Sequence, residues 1–223
     1  MTTSAPARRR TWALWGVAAG VLGAIGTVGT DVRPDGKRDG SSLVTAADIA
    51  DLSRATYHVG VVAGYLAVAA LLVFAGVWRR WSDDALPRSA AARVVGNGVV
   101  AGAGALALGY GFKGAMAVYL PGGSDHGGYD DQGLFVYYML NDFGSYVGWL
   151  PIMVGAGAVA WLGLVSRAVP RWVGAWSVLA LLPPVVLLLA TGLPGFPGVV
   201  GGVWLTVASL GIAFSRPAAS VPR

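Results

Sequence analysis

Six long apolar stretches, separated by shorter polar connections, account for most of this chain. The hydrocarbon core of a bilayer is about 30 Å thick, and a helix needs roughly 20 apolar residues to cross it. Six stretches approach that length: 11–29, 57–78, 94–119, 135–164, 172–191 and 199–214. Backbone groups inside lipid must pair within their own segment, and none of the runs alternates as a barrel strand does. The pattern predicts an all-α, polytopic bundle of six transmembrane helices, which forms one integral membrane domain over residues 1–223.

Basic residues are distributed unevenly between the two sets of connections. One set, with both chain ends, holds Arg8, Arg9, Arg10, Arg79, Arg80, Arg88, Arg93, Arg167, Arg171, Arg216 and Arg223. The other set holds Arg33, Lys37, Arg38 and Arg54. Short loops rich in Lys and Arg stay in the cytoplasm, so both termini are expected there. The first span has a basic start like a signal peptide, but it lacks an A-x-A-like cleavage site and is expected to be a retained anchor.

The composition limits the classes of protein and of functional site that this chain can form. Hydrophobic residues make up 55% of the chain and charged residues 12%, far from an ordinary soluble domain. Cysteine is absent, which excludes disulfides, thiolate nucleophiles and zinc–thiolate sites. The pI near 9.8 is attributed to the cationic ends of membrane helices and not to nucleic-acid binding. No Walker loop, H-E-x-x-H or G-x-S-x-G motif occurs, so the sequence predicts no cofactor and favours a non-enzyme.

Ionisable residues inside the spans are the candidate site. Intramembrane charges are costly and often functional. Lys113 and Asp142 fall at a similar depth towards the outer side, which predicts an ion pair between them, with Arg54 and His58 nearby. The full predicted cluster on helices 2–4 is Arg54, His58, Tyr110, Lys113, Tyr138, Asn141 and Asp142. Three interpretations stay open: a structural pair that fixes helix order, a ligand or proton site, and residues without mutual contact.

The connections and helix breakers add further predictions. A solvated loop is the first explanation for the outer loop, and a metal site is the second, with Asp125, His126, Asp130 and Asp131 as candidate ligands. Thr45 and Asp48 form a capping-box pattern that predicts a helix continuing into the second span. Pro151 should kink the fourth helix, and Pro183–Pro184 the fifth.

Five Gly-x-x-x-Gly pairs lie within the spans, and such pairs let helices approach closely. They begin at Gly16, Gly60, Gly98, Gly144 and Gly198. Packing between helices of one chain is the first explanation for them, and the face of a homodimer is the second.

One segment carries a family resemblance. In Leu164–Leu182, LVSRAVPRWVGAWSVLALL, a short basic turn precedes Pro170-Arg171-Trp172 and an apolar span that begins Val-Gly-Ala-Trp. The segment and the six-span layout resemble an uncharacterised family of small bacterial, mostly actinobacterial, integral membrane proteins. The resemblance implies a multi-pass topology and a bacterial plasma membrane, and it implies no activity.

Two functional classes follow from the sequence. The first is a small transporter or ligand-binding membrane protein that uses the polar cluster on the outer-leaflet side. The second is a non-catalytic accessory or scaffold protein that acts through helix–helix contacts. The expected partners are the lipid bilayer and either another membrane protein or a second copy of the chain.

Overall fold

The computed structural model describes residues 10–34, 43–49 and 51–215, and within these ranges it contains helices and no strand. We number the long helices α1 (Thr11–Gly29), α2 (Arg54–Ala85), α3 (Ala90–Tyr119), α4 (Asp131–Val147), α5 (Leu150–Leu164), α6 (Arg171–Thr191) and α7 (Phe196–Phe214). Helices α4 and α5 together form one stretch long enough to cross a membrane, so the described residues contain six candidate spans. The predicted all-α bundle of six apolar spans is confirmed.

Capping side chains set the start of three helices. Ser53, Ser89 and Asp130 accept hydrogen bonds from backbone N–H groups three residues later and begin α2, α3 and α4. The predicted helix from Thr45 into the second span is wrong. Thr45 and Asp48 do pair, but they start a short 3-10 helix, Ala46–Ile49, and residues 51–53 are not helical. Ser53 offers a competing cap, so a separate helix begins there.

The fourth span is interrupted where the sequence predicts a kink. Helix α4 ends at Val147, and α5 begins at Leu150 with Pro151 in its first turn, where a proline costs no hydrogen bond. Trp149 lies at the break and is completely buried. Pro183 and Pro184 lie inside the continuous helix α6, so the kink predicted there stays a prediction.

Close glycine contacts hold the spans together. A methyl group added to any of the ten glycines in the five Gly-x-x-x-Gly pairs would meet other atoms of this chain at less than ordinary van der Waals separation. Gly20 faces Gly202, Gly98 faces the Pro151 carbonyl, and Gly144 faces Gly109. The prediction that these pairs serve packing within one chain is confirmed. A homodimer would have to use other surfaces.

The antiparallel packing gives the bundle two distinct ends. The start of α1 lies beside the ends of α2 and α7. The Trp12 ring contacts the rings of Trp78 and Trp81, and Gly16 packs closely against the Ser209 side chain. We call this the Arg79 end, and the opposite one, where α1 finishes, the Asp31 end. Among the described residues, the Arg79 end carries Arg10, Arg79, Arg80, Arg88, Arg93, Arg167 and Arg171, and the Asp31 end carries Arg33 and Arg54. Arg8, Arg9, Lys37, Arg38, Arg216 and Arg223 lie outside the described residues.

Candidate functional site

Helix α1 finishes in an unusual turn. Residues Ile25–Gly29 form a π turn, a wide turn that is frequent at functional positions. The Thr30 hydroxyl folds back and donates to the carbonyls of Ile25 and Gly26, both at 3.0 Å. Carbonyls at a helix C-terminus lack partners within the helix and carry the negative end of its dipole. The end of α1 is therefore a place where a cation is stabilised.

Lys113 supplies that cation. Its side chain is 1% exposed, and its ammonium donates to the Gly26 carbonyl, to the Thr30 carbonyl (3.3 Å) and to the Thr30 hydroxyl (3.2 Å). An ammonium has three N–H donors, so the end of α1 provides an acceptor for each. The sequence predicts Asp142 as the partner of Lys113, but oxygens of α1 already satisfy the ammonium.

A second chain of hydrogen bonds lies one turn deeper. The Trp149 indole donates to the Thr27 hydroxyl at 3.0 Å, and the Thr27 and Tyr110 hydroxyls are 2.8 Å apart. The Tyr110 hydroxyl donates to the Gly23 carbonyl at 3.4 Å, so the consistent direction is Trp149 to Thr27 to Tyr110 to Gly23. We call Gly26, Thr27, Thr30, Tyr110, Lys113 and Trp149 together the sealed cluster. It joins α1, α3 and the break between α4 and α5 within a fully buried layer.

An open cavity lies beside the sealed cluster at the same end of the bundle. Its volume is about 670 Å³, within the usual range for sites that hold a small molecule. We call it the Asp142 chamber. It is lined by Arg33, Val44, Phe135, Tyr138, Met139, Asp142, Phe143, Tyr146, Leu193, Gly195, Phe196 and Val199. Its side chains come from α4, from the start of α7 and from segments that follow α1 and α6.

One wall of the chamber is polar and organised by Asp31. The Arg33 guanidinium donates to the Asp31 carboxylate at 2.8 Å, and the Tyr146 hydroxyl donates to the same oxygen at 2.9 Å. Burial alone would lower the pKa of Arg33, but Asp31 and, more weakly, Asp142 raise it above its ordinary value. Arg33 is therefore a fixed positive charge in this wall.

The other wall is apolar and open to the bundle's outer surface. Met139, Phe143, Leu193 and Val199 are between 42% and 55% exposed. The spans around them are apolar, so this wall faces lipid once the helices lie in a membrane. The chamber thus joins a charged and hydroxyl-bearing wall to a lipid-facing one.

The structure divides the predicted polar cluster into separate places. Tyr110 and Lys113 belong to the sealed cluster, while Tyr138 and Asp142 line the chamber. Asn141 is 3% exposed, and its side-chain oxygen has no hydrogen-bond partner among the residues described. Arg54 donates to the Ala117 carbonyl at 3.0 Å and ties the start of α2 to the end of α3.

His58 does not join the cluster, and this expectation is wrong. Its side chain is exposed, whereas Tyr57 and Gly60 are buried. Gly60 contacts Lys113, and His58 lies two residues earlier, about 200° around the helix. Periodicity places Arg54 and His58 on related faces of α2, but it does not tell which face points inward.

The loop between α3 and α4 offers no metal centre in the part of the chain that the structure describes. No three potential His or Asp ligands approach one another there. Asp130 has a structural role, because its carboxylate caps α4 by accepting from the Gly133 N–H at 2.9 Å. Asp125, His126 and Asp131 are exposed. The four metal candidates therefore remain separate surface residues.

Sequence reasoning missed the residues that organise both regions. Thr27, Thr30 and Asp31 lie in the segment IGTVGTD, at the end of the first predicted span. Two threonines three residues apart at the end of a span share one face, and that spacing was the available signal. No pattern in the sequence marks Arg33 and Tyr146, because only the folded chain brings both of them to Asp31.

Comparison with known proteins adds no relative. No family model, no curated protein and no solved structure matches this chain. Its function is therefore argued from the geometry of its own residues.

Proposed function

We propose that this chain is a multi-pass protein of the bacterial plasma membrane that binds a small amphiphilic molecule in the Asp142 chamber. The observation that carries the proposal is the pairing of two unlike walls around about 670 Å³. The ligand's polar head would meet Arg33 and Asp142. Its apolar part would lie against Met139, Phe143 and Val199, where it can enter from the lipid.

A second groove in the bundle differs from the Asp142 chamber because its lining is entirely apolar. It has a volume of about 320 Å³ and lies between α5, α6 and the start of α7, lined by apolar residues such as Met153, Leu181 and Pro184. Such a groove suits an acyl chain of the surrounding lipid, because no charged side chain orients a head group there. Selective sites combine an apolar surface with a few convergent polar groups, and the chamber has this combination.

Packing beneath the chamber favours binding over passage. Trp149, Tyr110 and Leu106 have no exposed surface, and Gly109 meets Gly144 directly. In this conformation the layer closes the route towards the Arg79 end. Transport would need these helices to separate at their closest contacts, so a binding protein is the simpler proposal.

The orientation is part of the same proposal. Seven described arginines at the Arg79 end against two at the Asp31 end support a cytoplasmic Arg79 end. Both termini would then lie in the cytoplasm, and the chamber would open at the outer leaflet. Reporter fusions at Asp125 and Gly195 should report the outside, and fusions at Asp84 and Ser166 the inside.

Binding is tested with three probes that share one tail. The purified chain in phosphatidylcholine nanodiscs is titrated with dodecylamine, dodecanoate and dodecanol, and its melting temperature is followed. We expect a saturable rise with at least one probe, because a ligand that binds only the folded state stabilises it. The head group that works best then defines the polar specificity of Arg33 and Asp142.

Two tryptophan variants separate the chamber from general lipid effects. Val199→Trp fills the chamber from its wall, whereas Val186→Trp adds the same bulk on the exposed face of α6, outside the chamber. The rise should disappear in Val199→Trp and persist in Val186→Trp. Absence of a saturable rise with all three probes, or its persistence in Val199→Trp, overturns the proposal and favours the scaffold alternative.

A further inference from the structure

A small pocket at the Arg79 end brings two arginines together from distant parts of the chain. Its volume is about 260 Å³, and its lining includes Arg10, Arg167, Trp172 and Ser215. Arg10 directly precedes α1, Arg167 lies in the turn between α5 and α6, and Ser215 follows α7. Three elements of the bundle therefore meet around one cationic pocket, at the opposite end from the Asp142 chamber.

Arg10 is held in place by aromatic packing. Its guanidinium lies over the Trp81 ring at 4.9 Å from the centroid, a cation–π contact. The side chain is partly buried, and this burial lowers the pKa of Arg10. Desolvation of a guanidinium is unfavourable unless an anion or an aromatic face compensates for it.

Arg167 occupies a backbone conformation that ordinary side chains avoid. Among the described residues it alone, apart from glycines, has a positive φ, of 55°. The turn is closed by hydrogen bonds from the Ala168 and Ser166 N–H groups to the carbonyls of Leu162 and Trp161. Helices usually place glycine at such a position. An arginine in this unfavourable backbone conformation indicates that its side chain has a role of its own, beyond the formation of the turn.

Charge balance points to an anion. No carboxylate lies within ion-pair distance of Arg10 or Arg167 in the portion of the chain that the structure describes. The flanking sequences, residues 1–9 and 216–223, contain no Asp or Glu, and their only charged side chains are arginines. Arg10 and Arg167 line the same small pocket, and an anion bound there would be attracted by both positive charges. Arginine's planar fork of N–H donors matches a phosphate.

We propose that Arg10 and Arg167 together bind the phosphate of an anionic lipid head group. The position of the pocket favours a lipid as the source of the phosphate. Trp172 lies in its lining and is 53% exposed, and tryptophans concentrate at membrane interfaces. A free phosphate ester would present the same chemistry to the two arginines. The Ser215 hydroxyl lies at the edge of the pocket as a further polar group.

Native mass spectrometry of the full chain in detergent measures this binding directly. Phosphatidylglycerol is titrated into wild type, Arg10→Gln and Arg167→Gln, and glycerol phosphate is titrated in parallel. Each variant should bind the lipid roughly tenfold more weakly, as expected for the loss of one charge-assisted contact. Weak binding of glycerol phosphate supports the lipid as the ligand. Equal binding of glycerol phosphate overturns the lipid as the source and assigns a free phosphate ester to the same two arginines.

Matched variants keep the test specific. Arg80→Gln with Arg88→Gln removes two exposed arginines at the same end and should leave lipid binding unchanged. Arg167→Gly relieves the backbone conformation, so it should melt at or above the wild-type temperature in phosphatidylcholine and still lose lipid binding. Wild-type affinity in Arg167→Gly, or an equal loss in the Arg80/Arg88 control, overturns the proposal. Either result leaves the amphiphile site untouched, because the chamber lies at the other end.

Discussion

The sealed cluster and the Asp142 chamber lie side by side at one end of the bundle, and they treat buried polarity in opposite ways. In the sealed cluster, the Lys113 ammonium donates to oxygens of Gly26 and Thr30, and Lys113 is only 1% exposed. In the chamber, Arg33, Asp142 and Tyr146 face open space. Asp31 connects the two regions, since it follows Thr30 of the sealed cluster along the chain and accepts from Arg33 and Tyr146.

The two regions show that charged residues inside one membrane protein can have different surroundings. Function is the usual first hypothesis for such a residue. A helix that ends inside the bundle changes this, because its unpaired carbonyls need donors as much as the ammonium needs acceptors. Lys113 supplies such donors, to the Gly26 and Thr30 carbonyls. Asp142 is only half-buried and lines the chamber.

Removing the lysine should give the largest loss of stability. Lys113→Met keeps the length of the side chain but leaves the Gly26 and Thr30 carbonyls without its N–H donors, so unfolding should become easier by about 2–4 kcal/mol. Asp142→Asn should cost less than about 1 kcal/mol, because its side chain is only partly buried. Unfolding in mixed micelles measures both, and a larger loss for Asp142→Asn contradicts the division between the two regions.

Glycine substitutions compare the packing of the two regions. In Gly64→Ala the new methyl overlaps the Tyr110 ring in the sealed cluster, which should cost about 1–3 kcal/mol. In Gly195→Ala the methyl meets only the Tyr146 Cβ, at 3.5 Å, next to the chamber. That change should stay within about 0.5 kcal/mol. The same unfolding assay applies, and equal losses would mean that the chamber wall is packed as tightly as the cluster.

The hydrogen-bond chain should contribute a smaller amount. Tyr110→Phe removes the partner of the Thr27 hydroxyl and should destabilise the protein by about 1 kcal/mol. Tyr65→Phe is the control, because its ring is 46% exposed on the outer face of α2. In a double-mutant cycle with Thr27→Val, the two losses should not be additive, since the residues contact each other. Additive losses would remove Tyr110 from the chain.

Acid should loosen the chamber before the cluster. The Asp48 carboxylate accepts from the Thr45 N–H and hydroxyl, which lowers its pKa and steadies the segment that contains Val44 of the chamber lining. A lowered pKa stabilises the folded state above the unfolded value of about 3.9, and this contribution is lost as the pH falls through the folded value.

Hydrogen exchange, corrected for intrinsic rates, measures this smallest effect. Protection of residues 43–49 should decrease below about pH 4, while Ile25–Gly29 keeps its protection. Asp48→Asn should lack this pH dependence. A parallel loss of protection in Ile25–Gly29 would show that the two regions open as one.

Much of the fold could be predicted because its signals are local. Apolar length gave six spans, and glycine spacing gave the close helix contacts. Two members of the predicted polar cluster on α4, Tyr138 and Asn141, are buried.

The candidate site was only partly predictable, for two physical reasons. The partners of Lys113 include backbone carbonyls released by a π turn, and no side chain in the sequence marks them. The chamber needs Arg33 and Gly195, which lie far apart along the chain and meet only after folding. The helical period placed Arg54 and His58 on neighbouring faces of α2, but it did not tell which face of the helix points into the bundle. Tyr57 is the buried residue there, and His58 is exposed.

Reactivity of single cysteines tests the division between cluster and chamber most directly. The chain contains no cysteine, so each substitution introduces one thiol. Asp142→Cys, Thr27→Cys and the exposed reference His58→Cys are each reconstituted in phosphatidylcholine and treated with a small neutral methanethiosulfonate. The account predicts modification of Asp142→Cys at a rate close to the reference, and no modification of Thr27→Cys until the protein is unfolded. Equal rates for Asp142→Cys and Thr27→Cys, whether both fast or both absent, would contradict it.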